Sequence, residues 1–208
     1  MKKKKVILTG FLPFGDYKFN PTEDCARYYN SREIIPGIKV IGLILPCTYY
    51  GAFKILSKVI DKEKPDAVIS TGLSSSVQRI RFETSFRNQM ESKYADANEY
   101  KPKGIRIDAK KSAEKKLTPQ VDFDFLVNLL NSKNLPVEIS EDANTFICNS
   151  LGYLTTKKIL ENNLPIRNVF IHIPWTDDYK NKIELEPAKI FLEKGKLYKA
   201  IEILIKNI

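Results

Sequence analysis

Apolar positions along this chain follow two rhythms. Short apolar runs occupy Val6–Leu8, Ile38–Leu45, Ala67–Ser70, Val137–Ile139 and Val169–Ile173, and most stop at a turn former: Thr9-Gly10, Pro46, Thr71-Gly72 and Pro174. Runs this short with abrupt ends predict buried strands. Between them apolar residues recur at helical spacing, which predicts helices over Thr22–Tyr29, Tyr49–Lys62, Asp122–Ser132, Asn144–Asn162 and Lys196–Lys206. Strands that alternate with helices build a mainly parallel sheet covered on both faces. The expected fold class is therefore α/β: one domain over residues 1–208, a three-layer sandwich around a mainly parallel mixed sheet. The stretch Asn98–Thr118 is polar, lysine-rich and poorly periodic, and reads as the least ordered part.

Chemistry in such sheets collects beyond the carboxyl ends of the strands. Those ends are Thr9-Gly10-Phe11, Pro46-Cys47, Gly72-Leu73 and His172-Ile173-Pro174. Composition narrows the classes. The apolar fraction is 43% and the charged fraction 28%, ordinary for a globular protein. The three cysteines, Cys25, Cys47 and Cys148, are too sparse for a disulfide framework and form no C-x-x-C metal pair. They read as reduced thiols of a cytoplasmic protein. The basic, apolar start is broken by Thr9, Gly10 and Pro13 and predicts a buried first strand rather than a signal peptide. No run reaches the ~20 apolar residues that span a membrane. The net charge of +9 is concentrated: Lys2–Lys5 supply four charges and Glu99–Pro119 a net four more. Neither stretch interleaves aromatic with basic residues, so both read as solvated lysine rather than a nucleic-acid surface.

The chain has a single histidine, His172, at the end of an apolar run, and Cys148 lies 24 residues before it. Either residue alone has a plain structural reading, a satisfied core histidine and a small buried hydrophobe. Their positions argue for more. Asn144 or Thr145 can cap a helix, and Ile147, Leu151 and Leu154 form its buried stripe. Cys148 then sits in the first turn, where backbone N–H groups and the helix dipole favour a thiolate and can bind an oxyanion. The helix runs back to feed the strand that ends at His172, so both residues meet at one sheet edge. Among the many carboxylates, Glu83 stands out as a third member by its setting between Ile80, Phe82 and Phe86. Cys47, at another strand end, is the competing nucleophile, but it lacks a helix start.

These residues carry a resemblance to the pyroglutamyl peptidases, cysteine peptidases that remove an N-terminal pyroglutamate. Thr9-Gly10-Phe11-Leu12-Pro13-Phe14-Gly15 with Asn20-Pro21 resembles the family's T-G-F-x-P-F-G…N-P opening. Leu45-Pro46, the Glu83…Asn88 segment, Thr145-Phe146-Ile147-Cys148-Asn149 and Phe170-Ile171-His172-Ile173-Pro174 resemble its later boxes in the same order. The resemblance implies Cys148 as nucleophile, His172 as base and Glu83 as its orienting acid, with no metal or organic cofactor. It implies an oxyanion site at the Cys148 N–H with Lys93 nearby. It implies a lactam pocket of Phe11, Phe14, Phe146, Ile147 and Tyr94, with polar contacts from Asn20 and the backbone at Leu73. It also implies small pyroglutamyl peptides as partners and a homo-oligomer, dimer or tetramer.

The chain departs from the family in the loop between Gly72 and Tyr94. Ser76-Val77 replaces a Gly-Arg pair, Thr84 an arginine, Lys93 another arginine and Tyr94 an apolar residue. Lysine keeps the charge but not the planar fork. Two alternatives follow: a related thiol amidase for another small N-terminal group, or a non-catalytic homologue that binds polyanions.

Overall fold

The computed structural model describes residues 3–32, 36–183 and 191–208. Its elements run in the order β1 (Lys4–Phe11), α1 (Pro21–Tyr29), β2 (Ile38–Leu45), α2 (Gly51–Glu63), β3 (Ala67–Leu73) and β4 (Ile80–Glu83). After these come β5 (Phe86–Arg87), β6 (Lys116–Leu117), α3 (Phe123–Asn131), β7 (Val137–Ser140), α4 (Ile147–Glu161), β8 (Arg167–Ile173) and α5 (Lys194–Asn207). Six strands form one sheet in the order β2-β1-β3-β8-β4-β7. Every neighbouring pair is parallel except β4 and β8, which run antiparallel. The expected α/β class, with a mixed and mostly parallel sheet, is the observed one.

Strand alternation sorts side chains onto two faces. Val6 and Leu8 of β1, Ala67 and Ile69 of β3, and Val169, Ile171 and Ile173 of β8 enter one core with α1, α3 and α5. Ile7 and Phe11, Val68 and Phe170 enter the other with α2 and α4. The same alternation puts Gly72, His172 and Glu83 on the α2/α4 side. Burying each large apolar side chain contributes roughly 1.5–3 kcal/mol, so both helical layers are held by contacts of the kind that hold the sheet.

Three local expectations need correction. First, β4 was not expected as a strand, although Ile80 and Phe82 do bury in the α1/α3/α5 core as their setting indicated. Second, Asn98–Thr118 is not formless. Asn88, fully buried, accepts from the Asp108 N–H and donates to the carbonyls of Asp108, Lys111 and Ser112. Asp108 is also ion-paired to Lys157 of α4, at 2.7 Å. Side-chain pinning, rather than periodicity, organises that loop. Third, the lysine head is not a solvated tail. Lys4 and Lys5 belong to β1; Lys4 Nζ donates to the Ile208 carbonyl, and Lys5 Nζ meets Glu63 at 3.1 Å. Lys2 lies outside the described residues.

Candidate active site

The site is built where α4 begins beside the ends of β3 and β8. Residue 146 is the N-cap of α4, extended and with no side-chain cap bond, so neither Asn144 nor Thr145 fills the capping role expected of it. Asn144 instead takes a left-handed φ of 62°. Thr145 Oγ1 donates to the Glu91 carbonyl at 2.8 Å, and the Glu91 N–H returns to the Thr145 carbonyl at 3.1 Å. The helix start is held from its flank as well. Asn149 is fully buried, accepts from the Arg87 N–H at 2.7 Å, and donates to the carbonyls of Arg87 and Gln89 at 3.0 Å each. A side chain paired so with three backbone groups fixes the helix's rotation, and hence the direction of the neighbouring Cys148.

Cys148 is the second residue of α4, and its side chain lines an open cleft. His172 is buried on β8, and its Nδ1 lies 2.7 Å from Glu83 Oε1. With the carboxylate accepting from Nδ1–H, the other ring nitrogen, Nε2, is free to act as a base. Gly72 stands between thiol and imidazole. A Cβ there would lie 2.8 Å from Cys148 Sγ and 3.1 Å from His172 Cδ2, the carbon next to Nε2. Sulfur and ring edge therefore converge on a space that only a glycine leaves open. The structure thus brings Cys148, His172 and Glu83 together from α4, β8 and β4. Glu83 is 1% exposed, and its second oxygen, Oε2, is buried without a hydrogen bond.

The thiol's electrostatics differ from the sequence expectation. Burial pushes the Cys148 thiol well above its ordinary value, and the neighbouring Cys47 and Glu83 push the same way. The Cys148 N–H opposes them and is outweighed. The shift favours the neutral thiol over the thiolate, so the helix start alone does not suffice and a base is needed to take the proton during attack.

The cleft measures about 630 Å³ including its open mouth, and Phe11, Phe14, Asn20, Leu73, Phe146 and Ile147 all line it beside Cys148. The Phe14 and Phe146 rings meet at 5.7 Å. Asn20 spends most of its side chain internally. Its Oδ1 accepts from the Thr22 N–H and hydroxyl and caps α1, and its Nδ2 donates to the Leu12 carbonyl. Lys93 and Tyr94 are exposed, pack on each other at 5.1 Å, and are not among the cleft's lining residues. Their segment is tied at one end to Thr145 and at the other by the Ala97 N–H to the Cys47 carbonyl. Cys47 lines the cleft with its Sγ donating to the Leu12 carbonyl, and burial raises its thiol to about 12.

Sequence reasoning passed over Tyr17 and Phe19, which also line the cleft, together with Ser75 of the altered loop after β3. The available signal was two aromatics in the polar loop that follows the carboxyl end of β1.

A family model described as pyroglutamyl peptidase matches residues 4–206. A pyrrolidone-carboxylate peptidase of Oceanobacillus iheyensis is 31% identical, with 97% of this chain and 98% of that protein aligned. The solved pyrrolidone carboxyl peptidase of Thermococcus litoralis superposes with a TM-score of 0.88 at 29% identity, covering 98% of this chain and 92% of that one. The pyroglutamyl peptidase I of Bacillus amyloliquefaciens superposes at 0.87 and 27%, covering 97% and 94%. The chain belongs to the pyroglutamyl peptidase family.

Proposed function

We propose that this protein is a cysteine peptidase that cleaves the amide bond after an N-terminal pyroglutamate, with Cys148 as nucleophile, His172 as acid and base, and Glu83 as positioning residue. The observation that carries the assignment is the 2.7 Å His172–Glu83 contact with the Cys148 thiol converging on the imidazole edge across Gly72. Nε2 takes the thiol proton as sulfur attacks the pyroglutamyl carbonyl. The C–S bond forms, the same proton passes to the leaving amine, and the C–N bond breaks. Water then cleaves the thioester with His172 again as base. The oxyanion is placed at the start of α4, on the Cys148 N–H. Lys93 lies outside the cleft and is given no direct contact.

Glu83 suits this cycle because a buried carboxylate with one neutral partner is poorly compensated. When His172 becomes an imidazolium, the contact becomes an ion pair and supports the charge that attack creates. The lactam is small, flat and uncharged. Phe11, Phe14, Phe146 and Ile147 supply apolar walls, and the second amide proton of Asn20 and the Leu73 backbone supply polar contacts. Three free thiols accord with a reducing, cytoplasmic setting; among the described residues no helix is long and apolar enough to cross a membrane.

The test is release of a fluorogenic amine from its pyroglutamyl amide, beside prolyl and glutaminyl amides. Reduced protein should turn over the pyroglutamyl substrate alone, and Cys148→Ala should lose at least about 10⁴-fold in kcat/KM. Turnover that survives in Cys148→Ala would remove the assigned nucleophile; no turnover by the intact protein would remove the function.

A further inference from the structure

The lining of the cleft runs from closed to open. Phe11 and Ile147 at its inner end are only 3% and 2% exposed, whereas Tyr17 and Phe19 at its mouth are each 38% exposed. The two ends cannot serve the same part of a substrate. A pyroglutamyl group is the blind end of its peptide: its nitrogen is closed into the ring and no residue precedes it. The ring can fill a closed pocket, but everything on the leaving side of the scissile bond must run outward, past the mouth.

We infer that Tyr17 and Phe19 form a subsite for the side chain that follows pyroglutamate, and that this subsite selects large apolar or aromatic side chains. The inference rests on the reaction proposed above. The two rings are braced from behind. Tyr17 packs edge-on against Trp175 at 5.2 Å, and Phe19 is tilted against Tyr179 at 5.7 Å. Trp175 and Tyr179 are buried and touch each other at 5.5 Å, and the Tyr179 hydroxyl donates to Asp24 of α1. A ledge whose rotamers are already set loses little entropy when a ligand covers it. It offers π faces and ring edges, which favour an apolar or aromatic guest over glycine.

The measurement is kcat/KM for pyroglutamyl-Phe, -Leu, -Gly and -Asp amides. Phe and Leu should exceed Gly by about ten-fold or more, the scale of discrimination that a few methylenes give in an apolar pocket. Tyr17→Ala and Phe19→Ala should each shrink that ratio several-fold, and Tyr17→Phe, which keeps the ring, should hold it. A second readout needs no turnover. Trp175 is the only tryptophan and touches Tyr17. Pyroglutamyl-Phe amide added to Cys148→Ala protein should therefore change its fluorescence, and pyroglutamyl-Gly amide should change it less. Equal kcat/KM across the four amides, or a ratio unmoved in both alanine variants, overturns the subsite. So does a Tyr17→Ala that keeps the ratio but changes the sedimentation mass, because the ledge then serves a second copy of the chain. Absence of turnover with every pyroglutamyl amide sinks the reaction and the subsite together; turnover without discrimination sinks the subsite alone.

Discussion

A carboxylate buried against one imidazole nitrogen holds the ring in a single tautomer, and Glu83 does so through a contact of 2.7 Å. Glu83→Gln keeps the shape and removes the charge that supports an imidazolium. We expect kcat to fall about 10²–10⁴-fold with KM for a pyroglutamyl amide hardly changed, because Glu83 does not line the cleft. A fall confined to KM would show that Glu83 shapes binding and not proton transfer. Cys148, His172 and Glu83 were legible through their joint placement, because strand ends, a helix start and an apolar setting leave marks in sequence, and the family resemblance supplied their roles. Lys93 and Tyr94 were not. The family resemblance carried them into the site, but their side-chain directions depend on a loop anchored by Thr145 and Cys47, and those anchors come from distant parts of the chain.

Among the elements, α4 does most to build the site, and its fit depends on Gly152. A Cβ at that position would lie 2.2 Å from the Phe86 ring, which is fully buried and packs against Phe170. Alanine in a helix interior ordinarily gains up to ~1 kcal/mol over glycine. Here overpacking should dominate, and Gly152→Ala should lose about 1–3 kcal/mol in denaturant unfolding while lowering turnover by tilting Cys148. An unchanged or higher midpoint would mean that Phe86 can move aside. The five helices and five of the strands were readable from periodicity and turn formers, with ends displaced by a few residues. β4 was not. Ile80-Arg81-Phe82-Glu83 alternates apolar with polar, but four residues alternate in many loops. What makes this a strand is pairing with β8 and β7, whose residues lie far along the chain.

For the whole molecule, buried acids set the response to pH. Burial raises the thiols of Cys25 and Cys47 and the phenols of Tyr29, Tyr49 and Tyr179 above their ordinary ranges; Asp24 beside Cys25 and Tyr179, and Asp96 beside Cys47 and Tyr49, add to it. The unfolded chain ionises first, its thiols near about 8.5 and its phenols near about 10. The stability these groups contribute is complete below those values and is lost as pH rises toward the folded values. The unfolding midpoint should hold from neutrality to about pH 8.5 and decline steadily above it; a flat or rising midpoint between about pH 9 and 11 would count against this account. The single antiparallel pairing of the six-stranded sheet, β4 with β8, has a consequence of another kind. Glu83 and His172 are 89 positions apart, and their contact exists only once β4 has zipped onto β8 in its proper register. Pairings this distant along a chain are slow to close because much entropy is lost before any contact rewards it. Activity therefore returns only when that pairing closes, so regained activity dates the completion of the fold and not its beginning.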